Sequence, residues 1–279
     1  MRGYLRTFVL FVVFTLLLVG IGQIAGAYWG VSPAASLALF LIPALLLNFI
    51  MYFLSAKMVL WSTRAKIVGP AEAPRLHRLV ERVALKADIP KPQVAIMPSA
   101  TPNAFATGRN PKHAVVAATS GILDLLDDDE LEGVLAHEIS HVKNRDVLIM
   151  TIAAAFASII SYVGWAMLWN RNRDANPLVA ILVWILAPLA AMLIQLAISR
   201  SREYGADASG ARLLGNPEPL ARALKKLERG AQVRPMRQGN PATSSLFIVN
   251  PFRGASLAGM FSTHPPTEER VRRLEELRF

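Results

Sequence analysis

Long uncharged runs alternate along this chain with stretches where apolar residues recur every three or four positions. Phe8 to Ala25 is apolar, with Thr15 and Gln23 its polar interruptions, and Ala34 to Ser55 follows almost at once. Two more runs come later, Val147 to Trp169 and Pro177 to Ser199. A helix rises about 1.5 Å per residue, so each run is long enough to cross a hydrocarbon core of about 30 Å. The first pair is joined by Tyr28-Trp29-Gly30-Val31-Ser32-Pro33, an uncharged linker of turn formers with an interfacial tryptophan; the second is joined by Asn170-Arg171-Asn172-Arg173-Asp174. The pattern predicts two transmembrane hairpins, about four apolar helices. Ala25-Gly26-Ala27 also fits a signal-peptidase site; the first run is read as a retained helix. For the second pair, a buried hairpin that does not fully cross is the alternative.

The segments between the hairpins have a different period. Ala73 to Ala87 places Leu76, Leu79, Val80 and Val83 on one helical face. Val94–Met97 and His113–Ala117 read as short strands separated by a polar turn through Gly108-Arg109-Asn110-Pro111. Asp127-Asp128-Asp129-Glu130 suits a helix N-terminus, where carboxylates offset the positive end of the dipole, and Leu131, Val134, Leu135 and Ile139 continue that helix. After the second hairpin, one helix carrying Ala206 to Leu214 stops at Gly215-Asn216-Pro217, and another runs through Leu220, Leu224 and Leu227. A C-terminal helix starts near Pro266 and buries Val271 and Leu274; residues 231–262, rich in Gly, Pro, Ser and Asn, read as a loop that could cover a cleft. The division is 1–61 (first hairpin), 62–146, 147–199 (second hairpin) and 200–279. The expected fold is a mostly α membrane protein with an α+β body split by the second hairpin.

Composition supports this. The chain is 53% hydrophobic yet carries 30 basic and 20 acidic residues, a net charge of +10. The positive charge flanks apolar segments and no nucleic-acid motif is present, so no nucleic-acid partner is expected. Arg2 and Arg6 precede the first hairpin, and Lys57, Arg64 and Lys66 follow it. Lys143, Arg145, Arg200 and Arg202 flank the second, against Arg171 and Arg173 in its connector. The bias places the body on the cytoplasmic side of the cell inner membrane. With no cysteine, thiol nucleophiles and disulfides are excluded.

The chemistry sits at His137-Glu138-Ile139-Ser140-His141. Two histidines four apart share a helix face, so their imidazoles can converge on one Zn²⁺ at about 2.0–2.1 Å. Glu138 beside them can take a proton from water activated by the metal. Such a site needs a third ligand. Glu203 and Asp207, again four apart, offer a carboxylate ligand and an acceptor for the other N–H of a ligating histidine. Alone, that spacing also fits a solvated helix face. His77 and His113 read as structural or surface residues.

The pentapeptide with Asn144 and Asp146, and Arg202-Glu203-Tyr204-Gly205-Ala206-Asp207, resemble the HtpX-type membrane zinc metalloproteases, relatives of the prenyl-protein (CAAX) endopeptidases. Asn103-Ala104-Phe105-Ala106-Thr107-Gly108 and Ser262-Thr263-His264-Pro265-Pro266-Thr267-Glu268-Glu269-Arg270 are similar to that family as well. The resemblance implies a zincin-like catalytic domain with one Zn²⁺ per chain held by His137, His141 and Glu203, Glu138 as general base and Asp207 behind a ligand. It also implies that Asn103, Ala104 and Phe105 lie near a sheet edge able to take an extended peptide; an ordinary hairpin loop is the other reading. His264 could stabilise the oxyanion or only shape the turn before two prolines. The implied substrates are polypeptides, especially damaged membrane proteins cut on the cytoplasmic side in quality control under stress. A prenyl-protein processing enzyme and a non-enzymatic membrane scaffold are the alternatives.

Overall fold

The structure, a computed structural model, describes residues 2–28, 30–152, 200–236, 244, 246–252 and 265–278. The second hairpin beyond Ile152, and His264, lie outside the described residues. The chain divides into two compact units, Met1–Ser55 and Ala56–Phe279.

The first unit pairs helix α1 (Arg2–Tyr28) with the part of α2 (Pro33–Ser62) up to Ser55. Gly30, at φ +70°, makes the turn between them. Small residues allow close approach: a Cβ on Gly22 would collide with the Phe40 ring, and one on Gly26 with Ser36. Asn48 Nδ2 donates to Thr15 Oγ1 at 2.7 Å and to Phe11 O at 3.3 Å, satisfying its amide nitrogen in an apolar setting. Among the described residues, α2 is long and apolar enough to cross a membrane, with a mean hydropathy of 2.4, and Phe11–Gly20 of α1 is a shorter apolar stretch.

The second unit is built on a four-stranded sheet of β1 (Lys66–Ile67), β2 (Gln93–Met97), β3 (Ala104–Gly108) and β4 (Ala114–Thr119), in the order β1-β2-β4-β3. Helix α3 (Pro74–Lys86) crosses from β1 to β2. The two expected strands pair in parallel, with Ala95 opposite Ala117, and the polar turn instead joins β3 to β4 as an antiparallel hairpin. Alternation assigns the faces. Ala95, Met97, Phe105, Val115 and Ala117 meet Val59, Met150 and Phe247. Val94, Ala104, Ala106, Val116 and Ala118 meet α3 and α5 (Asp128–Lys143). Helix α4 (Ser120–Leu125) leads into α5.

Helix α5 starts at a capping box: Asp127 Oδ1 accepts from Glu130 N at 2.8 Å and Glu130 Oε2 accepts from Asp127 N at 3.2 Å. It ends where Arg145 enters the left-handed region at φ +61°. Helices α6 (Arg200–Leu214), α7 (Glu218–Val233) and α8 (Thr267–Glu275) complete the unit. The loop expected over 231–262 differs in part: α7 reaches Val233, and Leu246, Phe247 and Ile248 are buried, because their side chains fill the gap beside β3.

Two glycines set the helix spacing around α5. A Cβ on Gly133 would lie 2.8 Å from Leu220 N, and one on Gly210 would lie 2.9 Å from His137 N. Both contacts are with backbone, so neither neighbour can rotate away. Gly210→Ala is expected to lower stability by about 1–3 kcal/mol through overpacking and to weaken metal binding by moving α6 off α5. Thermal melts with chelator and competitive metal titration check both effects; an unchanged affinity would remove the link between helix spacing and ligand placement.

Candidate metal centre and catalytic groups

His137 and His141 stand one turn apart on the buried face of α5, with their rings edge to face at 4.8 Å. Glu203 comes from the first turn of α6. Its Oε2 is 3.8 Å from His137 Nε2 and its Oε1 is 3.5 Å from His141 Nε2. One ligand atom from each of the three lies within 4.8 Å of the others. Both Nε2 atoms thus face one carboxylate, in the arrangement a single cation needs.

The donor set fits a divalent metal. His141 is buried, yet neither ring nitrogen has a hydrogen-bond partner, an orphaned pair that native interiors seldom tolerate without a ligand. The nearest group behind it, Asp146 Oδ2, is 3.7 Å from Nδ1, beyond hydrogen-bond length. His137 is better held. Its Nδ1 meets Asp207 Oδ1 at 2.8 Å, which fixes the tautomer and leaves Nε2 to face Glu203.

Arg270 is the group that sequence reasoning left without a role. It is 1% exposed, yet its guanidinium grips Asp207 through Nε to Oδ2 at 2.9 Å and Nη2 to Oδ1 at 2.7 Å. Nη1 donates to Ile248 O at 2.8 Å. A signal was present. Thr267, Arg270, Val271 and Leu274 form the buried stripe of α8, so an arginine occupies an apolar position and calls for a buried carboxylate.

Glu138 is turned toward β3, where the nearby Ala106 N–H favours its ionised form. Asn103 and Ala104 adjoin that strand edge, while the Phe105 ring points to the opposite face, 5.5 Å from Phe247. His77 bonds Val68 O through Nε2, and His113 Nδ1 meets its neighbour Asn110, so neither joins the site.

Electrostatics separate these carboxylates. Burial, reinforced by the Glu203 charge, pushes Glu138 from 4.5 up to about 7. Burial would raise Asp207 too, but Arg270 and His137 overturn that and bring it down to about 2. Burial lowers His137, with Asp207 only partly opposing. Burial also acts to lower His141, but Asp146, Glu203 and Glu138 outweigh it and leave it raised.

With the geometry in place, the comparisons define the class: a membrane-bound metalloprotease acting on polypeptides. The chain belongs to peptidase family M48, whose model matches residues 70–278. A protease HtpX homolog from Pyrococcus furiosus is 52% identical over 282 residues, covering 98% of this chain and 96% of that protein. Another from Salinibacter ruber is 52% identical over 274 residues, covering 98% and 97%. The crystal structure of S. mikatae Ste24p shares the fold at a TM-score of 0.52 and 16% identity; the match covers 98% of this chain and 65% of that one.

Two outcomes follow from the charge network. In the folded, metal-free protein Glu138 keeps a proton that the unfolded chain releases between pH 4.5 and about 7. Folding stability therefore falls across that window, by on the order of 3 kcal/mol in total. Glu138→Gln removes the penalty while keeping the size of the side chain. With chelator present, its melting temperature should exceed that of the parent near pH 8 and match it near pH 4.5; a gap independent of pH would sink the assignment. Arg270→Lys keeps the charge but loses the fork that holds Asp207. Its metal affinity in competitive titration should drop about tenfold through the histidine that Asp207 orients.

Proposed function

We propose that the protein is a zinc endopeptidase with one Zn²⁺ per chain, held by His137, His141 and Glu203, and with Glu138 as its general base. The observation that carries this reading is the convergence of the three ligand atoms beside a buried carboxylate whose pKa is near neutral. Bound there, zinc would supply Lewis acidity, polarising a peptide carbonyl and making water more acidic.

The chain's own residues supply the rest. Glu138, poised near the working pH, takes a proton from the attacking water and passes it to the leaving amine. Asp207 accepts the His137 Nδ1–H and keeps that ring in one tautomer, and Arg270 keeps Asp207 ionised. Asn103 and Ala104 offer amide and carbonyl groups to an extended substrate at the β3 edge. His264 remains a candidate for stabilising the oxyanion.

The bilayer sets where this happens. The ligand helix α5 ends at Lys143, and the third apolar run begins four residues later with helical residues 147–152. The positive flanks favour four membrane spans in the cell inner membrane with the body on the cytoplasmic side. Membrane proteins with exposed cytoplasmic loops or tails, as in quality control under stress, are the substrates that such a site reaches most readily.

The test uses the full chain in detergent or bilayer discs. Zinc-loaded protein should cut an unlipidated membrane protein, chelator should abolish cleavage, and added zinc should restore it. Glu203→Ala should lose at least about tenfold in zinc affinity; an unchanged affinity places the third ligand elsewhere. Cleavage confined to prenylated peptides would favour a processing enzyme instead.

A further inference from the structure

The outward edge of β3 is occupied from within the chain. Groups that point away from β4 alternate along it, at Ala104, Ala106 and Gly108. Ala104 O accepts from Ile248 N at 3.2 Å. The Ala106 N–H faces the buried Glu138. The Gly108 N–H donates to Thr151 Oγ1 at 3.3 Å.

Just before the strand, Asn103 grips one residue from both sides. Its Nδ2 donates to Val249 O at 2.6 Å, and its Oδ1 accepts from Val249 N at 3.4 Å. Arg270 Nη1 holds Ile248 O at 2.8 Å. The N–H and C=O groups of Ile248 and Val249 are thus read by Ala104, Asn103 and Arg270 without reference to side chains. That is how an extended peptide is held on a sheet edge, and a peptidase that accepts many sequences needs recognition of this kind.

We infer that Leu246–Val249 act as a built-in competitor: in the resting protein they hold the Ala104 carbonyl of β3 and the Asn103 side chain, and they must withdraw before a substrate strand can bind. The inference rests on the reading that substrate docks along β3. The hold is strong in apolar contact, since Phe247 is 0% and Ile248 1% exposed. It is weak in backbone pairing, since Ile248 N to Ala104 O is the one bond of the ladder type among the described residues. A substrate strand spanning Ala104 to Gly108 can make more of those bonds and displace it. Such a strand would also claim the Ala106 N–H, which faces Glu138.

Two experiments on the metal-loaded full chain test this. Ile248→Pro removes the N–H that Ala104 O accepts. With an unfolded soluble polypeptide as substrate, its KM should fall at least about threefold while kcat stays within about twofold, because an internal competitor lowers only the fraction of protein able to bind. An unchanged or higher KM with intact metal content and melting temperature overturns the proposal. If the variant fails to fold, hydrogen exchange on Glu138→Gln decides. Adding the polypeptide should speed exchange at 246–249 about tenfold or more while slowing it along Ala104–Gly108. Protection of 246–249 that persists with polypeptide bound overturns the competitor. Cleavage by the parent protein with no change along Ala104–Gly108 overturns the docking of substrate on β3 instead.

Discussion

Helix α6 lies so close to α5 that only glycine fits at position 210, and the rest of the site follows from that contact. Glu203, Asp207 and Gly210 share one stripe of α6, one and two turns apart. In an ordinary amphipathic helix this stripe would be aliphatic and would hold the neighbouring helix at a full side-chain distance. Here the buried positions are Glu203, Ala206, Asp207, Gly210 and Ala211. Small residues bring the backbones together, and the two acids reach His137 and His141 from a fixed distance. The packing surface between the helices and the chemical surface are the same face.

That arrangement concentrates charge where water is scarce. Glu138, Glu203 and Asp207 are each 3% exposed or less, and Arg270, at 1%, is the cation beside them. The guanidinium makes a bidentate pair with Asp207, which removes one carboxylate from the balance and depresses its pKa. Glu138 and Glu203 remain in a low-dielectric pocket, where burial first and the Glu203 charge after it push the Glu138 pKa up. A divalent cation among the ligand atoms would reverse that balance. The instability of the acids and the affinity for metal are one electrostatic fact seen from two sides.

The parts of this site that were legible in the sequence are those within a single helix. Spacing of four fixes a shared face, so His137 with His141, and Glu203 with Asp207, could be read directly. The N-terminus of α5 was equally plain, because the carboxylates of 127–130 act within a few residues of one another. Of the contacts between distant segments, the meeting of Glu203 and Asp207 with the histidines was expected from the metal chemistry and the family resemblance, and the others were not legible. The strand at 104–108 is short, with small residues on either side of a single Phe105, so its pattern resembles a loop, and the parallel partnership of β2 with β4 depends on a crossover that no local spacing encodes. Arg270 meets Asp207 across 63 positions, and Val249 meets Asn103 across 146. Such contacts follow from the tertiary fold, and the residues on either side of them have no distinctive local context.

The edge of β3 shows how two demands are met together. A strand that receives a peptide must leave one row of hydrogen-bonding groups unclaimed by its own sheet, yet an open row invites pairing with any other chain. This strand has no charged residue, proline or bulge to discourage that pairing. Its outward Ala104 O and Gly108 N–H are instead given to separate internal partners, Ile248 and Thr151, while the Ala106 N–H faces the buried Glu138. Those partners belong to different parts of the chain, so they can be released singly, whereas a neighbouring strand would have to be peeled away whole. If substrate docks on β3 as proposed, an edge covered in pieces stays shielded from chance pairing and opens to a polypeptide long enough to replace all of the pieces at once.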